Sequence, residues 1–356
     1  MAGTLWHEPD GATATGLRYG PGMRWKLALV LLVTVACLGL ALRGLDLGEA
    51  RHALAETSWP RVALGISMYV PLHLLRTSRL WLLLGGQDGA GRRLRFVRVL
   101  SITAVGFLAI NVIPLRLGEA VRPWLLHERE GVPWGRSLAA IVMERILDFA
   151  ALLVMLFGVS WLVELPAGGV VVQGVDVLQA AQRLAGTALV LGVGAGLTVV
   201  AVGEPVIRAL ERLPLGRTVG GLARRFREGL LELLRRPLVA LSTVALTVLV
   251  WGTTMASVAV FLSAMPGLPV TLAAAWTTWT MTLAGMTAVP TPGFVGAYEL
   301  FCAAALWLFQ VDPDRARTFA IVLHMGQFAF TVGVGGLAML FEGLSLRQLV
   351  VRPSAG

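Results

Sequence analysis

The sequence predicts an all-α polytopic integral membrane protein, and three observations carry that prediction. Of the 356 residues, 56% are hydrophobic and only 14% are charged, whereas about a quarter of a soluble domain is charged. Long apolar runs alternate with short loops that are rich in arginine or weakly acidic. Proline, glycine and ionisable residues interrupt two of these runs, one in each half. We therefore expect about six transmembrane helices and two re-entrant broken-helix segments in a pseudo-inverted arrangement.

The N-terminal elements follow from polarity and loop charge. Residues 1–22 are polar and rich in glycine, which predicts a disordered cytoplasmic tail before a transmembrane domain over residues 23–345. The first apolar run, 25–42, has no small-residue cleavage pattern and follows a long tail, so we expect a retained anchor. The second run, 62–84, is followed by an arginine-rich loop, which places that loop and the N-terminus in the cytoplasm.

The central elements alternate between spans and charged segments. Residues 96–126 predict the first re-entrant segment, because an apolar arm runs directly into charged residues. Residues 137–163 predict an outward span, and residues 184–202 predict its return. Between the halves, residues 203–237 form a basic, partly amphipathic segment that we expect on the anionic cytoplasmic leaflet.

The C-terminal half repeats this order. Residues 238–262 predict an outward span, residues 272–308 the second re-entrant segment, and residues 316–341 an inward span. Residues 346–356 then predict a second cytoplasmic tail. The positive-inside rule thus predicts a multi-pass protein of the cell membrane with both termini in the cytoplasm.

The first interruption places charge inside an apolar region. Pro114 and Gly118 break the helix, and the ionisable residues beside them are Arg116, Glu119 and Arg122. A charge at a helix centre costs about 2.5–3.5 kcal/mol, which favours a re-entrant hairpin around a wet cavity over a lipid-facing span. If a helix resumes after Gly118, Glu119 and Arg122 share a face, and the arginines with the helix N-terminus suit a phosphate. In the alternative interpretation the arginines are interfacial anchors and Glu119 is their local partner.

A second charged group lies early in the predicted span 137–163. At helical pitch Glu144 and Asp148 share a face, and Arg145 reaches Asp148 three residues away. Ionisable residues inside a membrane are candidates for function. They also suit a buried ion pair that locks this helix against the first re-entrant segment, and the two roles are compatible.

The second interruption combines helix breakers with a single carboxylate. The breakers are Pro290, Pro292, Gly293 and Gly296. Glu299 lies where a helix can resume. Its carboxylate suits a proton or cation site, or a pairing with an arginine of the first interruption. A purely conformational kink is the alternative.

Other polar residues predict simpler roles. Arg76 and Arg79 end the second span, which predicts snorkelling to the headgroups or, alternatively, a place in the cavity. His324 and Gln327 share a face of the last span and predict hydrogen bonds between helices. Histidines and cysteines show no ligand spacing, so we expect neither a metal nor a cofactor. Arginines confined to loops beside apolar segments argue against nucleic acid as a partner.

Taken in order, the charged residues of 114–122, the group from Glu144 to Asp148 and the Pro-x-Pro-Gly turn before Glu299 resemble the signature of the flippase-like membrane family. That family includes the transmembrane region of lysylphosphatidylglycerol synthases. The resemblance implies a lipid-translocating domain. By it, the headgroup-binding residues are Arg116, Glu119, Arg122, Arg145 and Glu299. Structural or gating roles fall to Pro114, Gly118, Glu144, Asp148, Pro290, Pro292, Gly293 and Gly296.

Two departures from the family pattern bear on function. Phe294 stands where a second glycine is common, which narrows the second interruption. Bifunctional members carry a soluble aminoacyl-transferring domain after the membrane part. This sequence stops at Gly356, so we expect no aminoacyl transfer by this chain and no enzyme activity.

The leading functional hypothesis is a flippase for an anionic or aminoacylated phospholipid or a lipid-linked precursor. The headgroup would enter a cavity between the two re-entrant segments while the tails stay in the bilayer. One alternative is a membrane enzyme acting on lipid phosphates, although no nucleophile or acidic metal cluster is visible. Another is a scaffold for a separate synthase or glycosyltransferase, docked on residues 203–237. A separately encoded lipid-modifying enzyme fits as a partner, and homo-oligomerisation is open.

Overall fold

The architecture comes from a computed structural model that describes most of the two apolar halves. The described residues are 21–113, 118–162, 171–172, 175–176, 202–211, 235–289, 291–345 and 348–349, with single positions at 194, 198, 220, 221, 224, 227 and 231. Four predicted segments lie wholly or mostly outside them: the tail 1–22, the return span 184–202, the basic segment 203–237 and the tail 346–356.

The described part is built almost entirely from helices. They are α1 (Pro21–Leu42), α2 (Leu47–Glu56), α3 (Trp59–Ser67), α4 (Tyr69–Leu83), α5 (Phe96–Val112), α6 (Val121–Glu130), α7 (Trp134–Leu162), α8 (Glu204–Glu211), α9 (Pro237–Ala264), α10 (Leu272–Ala288), α11 (Ala297–Trp307) and α12 (Pro313–Phe341). One short antiparallel pair, β1 (Val171–Val172) with β2 (Val175–Asp176), is the departure from helix. The predicted all-α class is therefore confirmed.

Within the described residues, fewer helices qualify as spans than the six that the sequence predicted for the whole chain. By length and composition, α9 and α12 are the two helices of the described part that can cross a membrane. The segments Leu31–Leu42 and Leu47–Glu56 form a third if they are counted together, although they are bent by 77°. α7 has 29 residues but carries ionisable side chains in its interior. Six spans are thus not confirmed.

Helix lengths show two similar units. The first arms, which are the helices before the breaks (α5 and α10), have 17 residues each, and the arms after the breaks, α6 and α11, have 10 and 11. Each unit then continues into a 29-residue helix, α7 or α12. The 28-residue α9 corresponds to α3 and α4, which are separated at Met68 because Pro71 has no N–H for the carbonyl of Ser67.

Packing between the two units is reciprocal. The first arm α5 packs along α12 of the second unit, and the first arm α10 packs along α7 of the first. The helices α4 and α9 pack against each other. Small residues allow these approaches: a Cβ on Gly335 of α12 would lie 2.5 Å from the Leu108 Cβ of α5. Similar lengths and reciprocal contacts favour a description as two repeats, and a pseudo-two-fold axis between them stays a prediction. Their inverted orientation in a membrane stays a prediction.

The two helix breaks meet in space. The first follows α5, and residues 118–120 form a 3-10 turn that leads into α6. Gly118 has to be small because a Cβ there would overlap the carbonyl group of Ala109. In the second break, Pro292–Phe294 form a 3-10 turn. A Cβ on Gly293 would lie 3.3 Å from the Asn111 carbonyl oxygen, so the second turn rests on the end of α5.

Backbone geometry explains the residue types of the second break. Gly293 and Gly296 have φ of 58° and 85°, the left-handed region that glycine occupies without strain. Phe294 also has a positive φ, 61°. Glycine is the residue that this conformation favours. Phe294 keeps the conformation and adds its ring to the apolar core.

Candidate functional site: a cationic cluster and a Glu–His pair

Arg79 is the centre of a buried ionic network between α4, α7 and α9. Its side chain is 1% exposed and donates to both oxygens of Asp148, from Nη1 at 2.8 Å and from Nη2 at 3.1 Å. Nη1 also donates to the hydroxyl of Thr247 at 3.2 Å. Nη2 lies 3.6 Å from Oε1 of Glu144. A planar guanidinium that meets a carboxylate through two parallel bonds is fixed in orientation as well as charge.

Arg122 connects the arm after the first break to the same network. Its Nη2 donates to Oε2 of Glu144 at 2.7 Å, and both side chains are at most 2% exposed. Glu144 therefore bridges Arg122 of α6 and Arg79 of α4. The stem of Arg122 crosses α5 at Gly106, where a Cβ would overlap the Arg122 Cγ. A glycine at position 106 is thus required for this ion pair.

Arg76 lies at the edge of the network and is half-buried. Within the described residues it forms no ion pair and no hydrogen bond. Its guanidinium lies 5.0 Å from the ring centre of Phe107, and that of Arg122 lies 5.4 Å from the same ring. The electron-rich face of an aromatic ring attracts cations, so Phe107 stabilises two guanidiniums that repel each other. The buried ring of His73 contacts Phe107 as well, with 5.4 Å between ring centres.

These residues make a cluster with surplus positive charge. We call it the cationic cluster; its ionised members are Arg76, Arg79, Arg122, Arg145, Glu144 and Asp148. Arg145 pairs with Asp148 at 3.2 Å but is 43% exposed. Four guanidiniums minus two carboxylates leave a charge of +2 on these members. Three nitrogens near the surplus charge, Nε of Arg79, Nε of Arg122 and Nε2 of His73, are buried without a hydrogen-bond partner in the described part of the chain.

The second break contains a different arrangement, the Glu299–His324 pair. Nδ1 of His324 lies 2.6 Å from Oε1 of Glu299, and Nε2 of His324 lies 3.0 Å from the Gly293 carbonyl oxygen. The other carboxylate oxygen accepts from the backbone N–H of Gly296 at 2.7 Å. Glu299 is the third residue of α11, from which its side chain reaches back to cap the helix start. The pair thus ties α11, α12 and the broken backbone together.

Aromatic and hydrogen-bond contacts connect the two sites. The ring of Tyr298 stacks on His324 at 4.2 Å, and its hydroxyl donates to Oε1 of Gln327 at 3.1 Å. The hydroxyl of Tyr69, on α4, points to the same oxygen at 3.4 Å. The ring of Phe330 then contacts both Tyr69 and His73. A continuous path of packed side chains therefore runs from the Glu299–His324 pair to the cationic cluster.

Some of the residues predicted from the sequence lie together in the structure, and others do not. Arg122, Glu144, Arg145 and Asp148 lie together, and the predicted contact between Arg145 and Asp148 is present. The predicted sharing of one cavity face by Glu119 and Arg122 does not become an ion pair, because Arg122 turns to Glu144. Glu119 is half-buried on the 3-10 turn and forms no ion pair within the described residues. Pro114, Arg116 and Pro290 lie outside the described residues.

Two expectations require correction or extension. Snorkelling of Arg79 was the wrong expectation: the guanidinium is fully enclosed because two carboxylates of α7 surround it. The hydrogen bonds expected from His324 and Gln327 between helices are present. Sequence reasoning missed the role of His324 as the partner of Glu299. Its i, i+3 spacing to Gln327 was visible, but its pairing depends on tertiary packing of α12 against α11.

Comparisons with known proteins agree with this architecture. The family profile described as the lysylphosphatidylglycerol synthase TM region matches residues 26–335. Among curated proteins, the chain is similar to Glycosyltransferase AglD of Haloferax volcanii, with 27% identity over 354 aligned residues. The match covers 90% of this chain but 55% of the relative, so the chain spans about half of that protein's length. No solved structure matches the chain significantly. Because the family profile covers both breaks, all of α7 and most of α12, the chain belongs to the family of the lysylphosphatidylglycerol synthase transmembrane region.

Proposed function

We propose that this protein translocates a phosphate-bearing lipid between the leaflets of the cell membrane, with the headgroup bound at the cationic cluster. The observation that carries the proposal is the +2 surplus of the cationic cluster, whose members Arg79, Arg122 and Glu144 are enclosed by helices. An uncompensated charge in such a place costs several kcal/mol. A phosphate group supplies the missing negative charge and accepts hydrogen bonds from the guanidinium forks.

Arg76 is the residue best suited to contact the phosphate. It is reachable, it carries charge that no described carboxylate neutralises through an ion pair, and Phe107 orients it beside Arg122. The buried donor Nε of Arg122 points to the same need for an acceptor. Arg116 and Glu119, on the break itself, stay proposed as further headgroup contacts. Arg145 is proposed to contact the headgroup at the exposed rim.

The proposed role of the second break differs from headgroup binding. Both oxygens of Glu299 are occupied by partners within the protein, so this residue contributes through the Glu299–His324 pair. Because the two breaks meet, each repeat contributes one wall to the proposed headgroup cavity. In this proposal the cavity opens alternately to the two leaflets, and both termini lie in the cytoplasm.

The test uses the full chain reconstituted in vesicles with acyl-labelled phosphatidylglycerol, lysylphosphatidylglycerol, a polyprenyl phosphate and phosphatidylcholine. Leaflet exchange is followed by chemical quenching of the label in the outer leaflet. Arg76→Gln removes a cation without orphaning a carboxylate, so the variant is expected to fold. A charge-assisted hydrogen bond contributes about 1.5–3 kcal/mol, which predicts a loss of roughly tenfold to a hundredfold in rate.

The matched control is Arg51→Gln, because Arg51 is an exposed arginine on α2 that forms no ion pair among the described residues. Its rate should equal that of the wild type. Wild-type vesicles that exchange none of the lipids faster than empty vesicles would refute translocation of these substrates. An Arg76→Gln protein as fast as the wild type would refute the assignment of the phosphate site.

A second candidate is supported by the relative named as a glycosyltransferase. In that case the chain would hold a lipid substrate for a glycosyl-transferring or lipid-modifying reaction, alone or as the membrane scaffold of a separate enzyme. Supplying the vesicles with nucleotide-sugar donors and extracting the lipids distinguishes the candidates. Protein-dependent glycolipid formation without leaflet exchange would favour the enzyme.

A further inference from the structure

We propose that the Glu299–His324 pair is a proton-binding site, and that its protonation and deprotonation couple a proton gradient to movement of the second break. The coupling part rests on the proposed lipid translocation. The proton site does not, because it follows from hydrogen-bond geometry. Both side chains are at most 6% exposed, so the proton count of the pair sets the charge of an enclosed volume.

The geometry fixes how many protons the pair holds. The Gly293 carbonyl oxygen can only accept, so Nε2 of His324 carries a proton. A distance of 2.6 Å between Nδ1 and Oε1 of Glu299 requires a second proton between them, on the imidazole or on the carboxyl. The pair therefore holds two protons in total and is neutral overall in either form.

Loss of the second proton changes the contact from attractive to repulsive. The bond from hydrogen to Nδ1 or Oε1 breaks, its electron pair stays on that heavy atom, and a water molecule takes the proton. A lone pair of Nδ1 then faces a carboxylate, and the pair carries one uncompensated negative charge. Because Glu299 caps α11 and His324 holds the Gly293 carbonyl, separation of the two side chains releases both sides of the second break.

Few titratable groups surround the pair. On α11, Tyr298 stacks on the imidazole and Cys302 lies one turn beyond Glu299. On α4, Tyr69 approaches through Gln327. On α1, the Cβ of Cys37 would lie 2.9 Å from a Cβ on Gly296. None of these groups is a carboxylate or an imidazole, so within this set the Glu299–His324 pair is the one in which an acid meets a base through a shared proton.

Charged groups on the elements that pack against α12 are remote from His324. The helices α9 and α10 contain no ionisable residues. Residues of α2 and α5 form ion pairs only near the two ends of α12, at Arg315 with Glu56 and at Glu342 with Arg98. On α3, Arg61 donates to the Ser263 carbonyl oxygen. On α4, the charges belong to the cationic cluster, which the path through Tyr69 and Phe330 connects to the pair.

The position of the pair in the repeats supports coupling. It joins the arm after the second break to the following long helix, the place that Arg122 and Glu144 occupy in the first repeat. Deprotonation leaves one negative charge on the Glu299–His324 pair, and this charge would attract the cationic cluster. A phosphate bound at the cationic cluster would neutralise the positive charge of that cluster. Substrate binding and proton binding therefore act on one connected pair of breaks.

The proton site is tested by a method that does not depend on transport. Histidine-selective 15N NMR and infrared spectra are recorded on the full-length protein across neutral and alkaline pH. In the wild type we expect either a protonated Nδ1 on His324 or a protonated carboxyl band from Glu299. Glu299→Gln keeps all three hydrogen bonds, because the amide donates to Nδ1 and accepts from Gly296, and it leaves His324 with a proton on Nε2 alone. At neutral pH, an unprotonated Nδ1 in the wild type without a Glu299 carboxyl band would overturn the proposal.

The coupling is tested in vesicles with acyl-labelled phosphatidylglycerol and an imposed gradient of one pH unit. One proton per lipid shifts the leaflet ratio by up to about tenfold, and an ionophore that collapses the gradient reverses the shift. Glu299→Gln should abolish the shift. The matched control Glu49→Gln removes an exposed acid of α2 that forms no ion pair among the described residues, and it should keep the shift.

The outcomes separate the two proposals. A shift that persists in Glu299→Gln, or a wild-type ratio that ignores the gradient, would overturn the coupling while translocation stands. If no lipid exchanges at all, the proposed function and the coupling fail together, and the spectra alone decide whether the proton site exists.

Discussion

The two repeats contain acid–base pairs in corresponding places, and the pairs have opposite polarity. In the first repeat the base is on the short arm and the acid on the long helix, as Arg122 of α6 and Glu144 of α7, at 2.7 Å. In the second repeat the acid is on the short arm and the base on the long helix, as Glu299 of α11 and His324 of α12, at 2.6 Å. The partners are 22 and 25 residues apart in the chain.

The chemical difference between these pairs separates fixed charge from exchangeable charge. Arginine does not lose its proton in proteins, so Arg122 stays positively charged and the first repeat keeps its guanidinium cations. The contact between Glu299 and His324 depends on one shared proton, so the second pair changes charge when that proton leaves. The same architectural position thus gives one repeat a permanent attraction for an anion and gives the other a protonation-dependent contact.

The largest expected effect comes from removing Glu144. Glu144→Gln leaves Arg122 and Arg79 enclosed with one carboxylate fewer. Removing one partner of a buried ion pair lowers the free energy of unfolding by about 3–5 kcal/mol. Chemical denaturation in detergent micelles measures this loss. Glu128→Gln, at an exposed position of α6, is the control and should change stability by less than about 0.5 kcal/mol. A mild effect of Glu144→Gln would mean that the first pair is not a fixed structural charge.

Adding a methyl group at Gly106, where the Arg122 side chain crosses α5, should have the next largest effect on stability. In Gly106→Ala the new methyl group overlaps the Arg122 stem, so either the stem moves away from Glu144 or the backbones separate. Overpacking of this kind costs about 1–3 kcal/mol. The same denaturation assay applies, with Gly333→Ala on α12 as the control, because a Cβ there meets nothing within 4 Å. Equal stability of the two variants would contradict the crossing.

The requirement at Gly106 shows where sequence reasoning ends. Composition and periodicity predicted helix positions closely: the expected span 238–262 is α9, and the expected span 316–341 lies within α12. They also located both breaks, because proline and glycine act on the backbone within a few residues. Nothing in the sequence indicates that a glycine of α5 accommodates a side chain of α6, since that depends on how two helices cross.

The sequence also does not reveal which charged residues form ion pairs with each other in the fold. Local spacing predicted the contact of Arg145 with Asp148 and suggested Glu119 near Arg122, because both are separated by three residues. The first contact formed, since both residues lie on one continuous helix. For Arg122 a residue 22 positions away competed successfully, because a buried guanidinium is stabilised most by a buried carboxylate. Long-range pairing of this kind cannot be deduced from one sequence.

Glu299→Gln should be much milder than Glu144→Gln, and this sharpens the comparison of the two repeats. The amide of a glutamine satisfies Nδ1 of a neutral His324 and still accepts from Gly296, so no buried group loses its partner. We expect a change of less than about 1 kcal/mol, within the range of a single neutral hydrogen bond. Denaturation curves of the two glutamine variants, measured side by side, test this. Equal destabilisation would show that the second pair is held by fixed charges like the first.

The smallest effect is expected at the exposed edge of the cationic cluster. Arg145 shares Asp148 with Arg79, but its side chain is 43% exposed, whereas that of Arg79 is 1% exposed. Water screens the outer contact, so Arg145→Gln should cost no more than about 1 kcal/mol of unfolding free energy. It also lowers the surplus charge from +2 to +1, which should weaken phosphatidylglycerol exchange more than it weakens the fold. If Arg145→Gln lost as much stability as Glu144→Gln, Arg79 alone would not balance the charge of Asp148. The surplus positive charge of the first repeat would then be smaller than the ion pairs indicate.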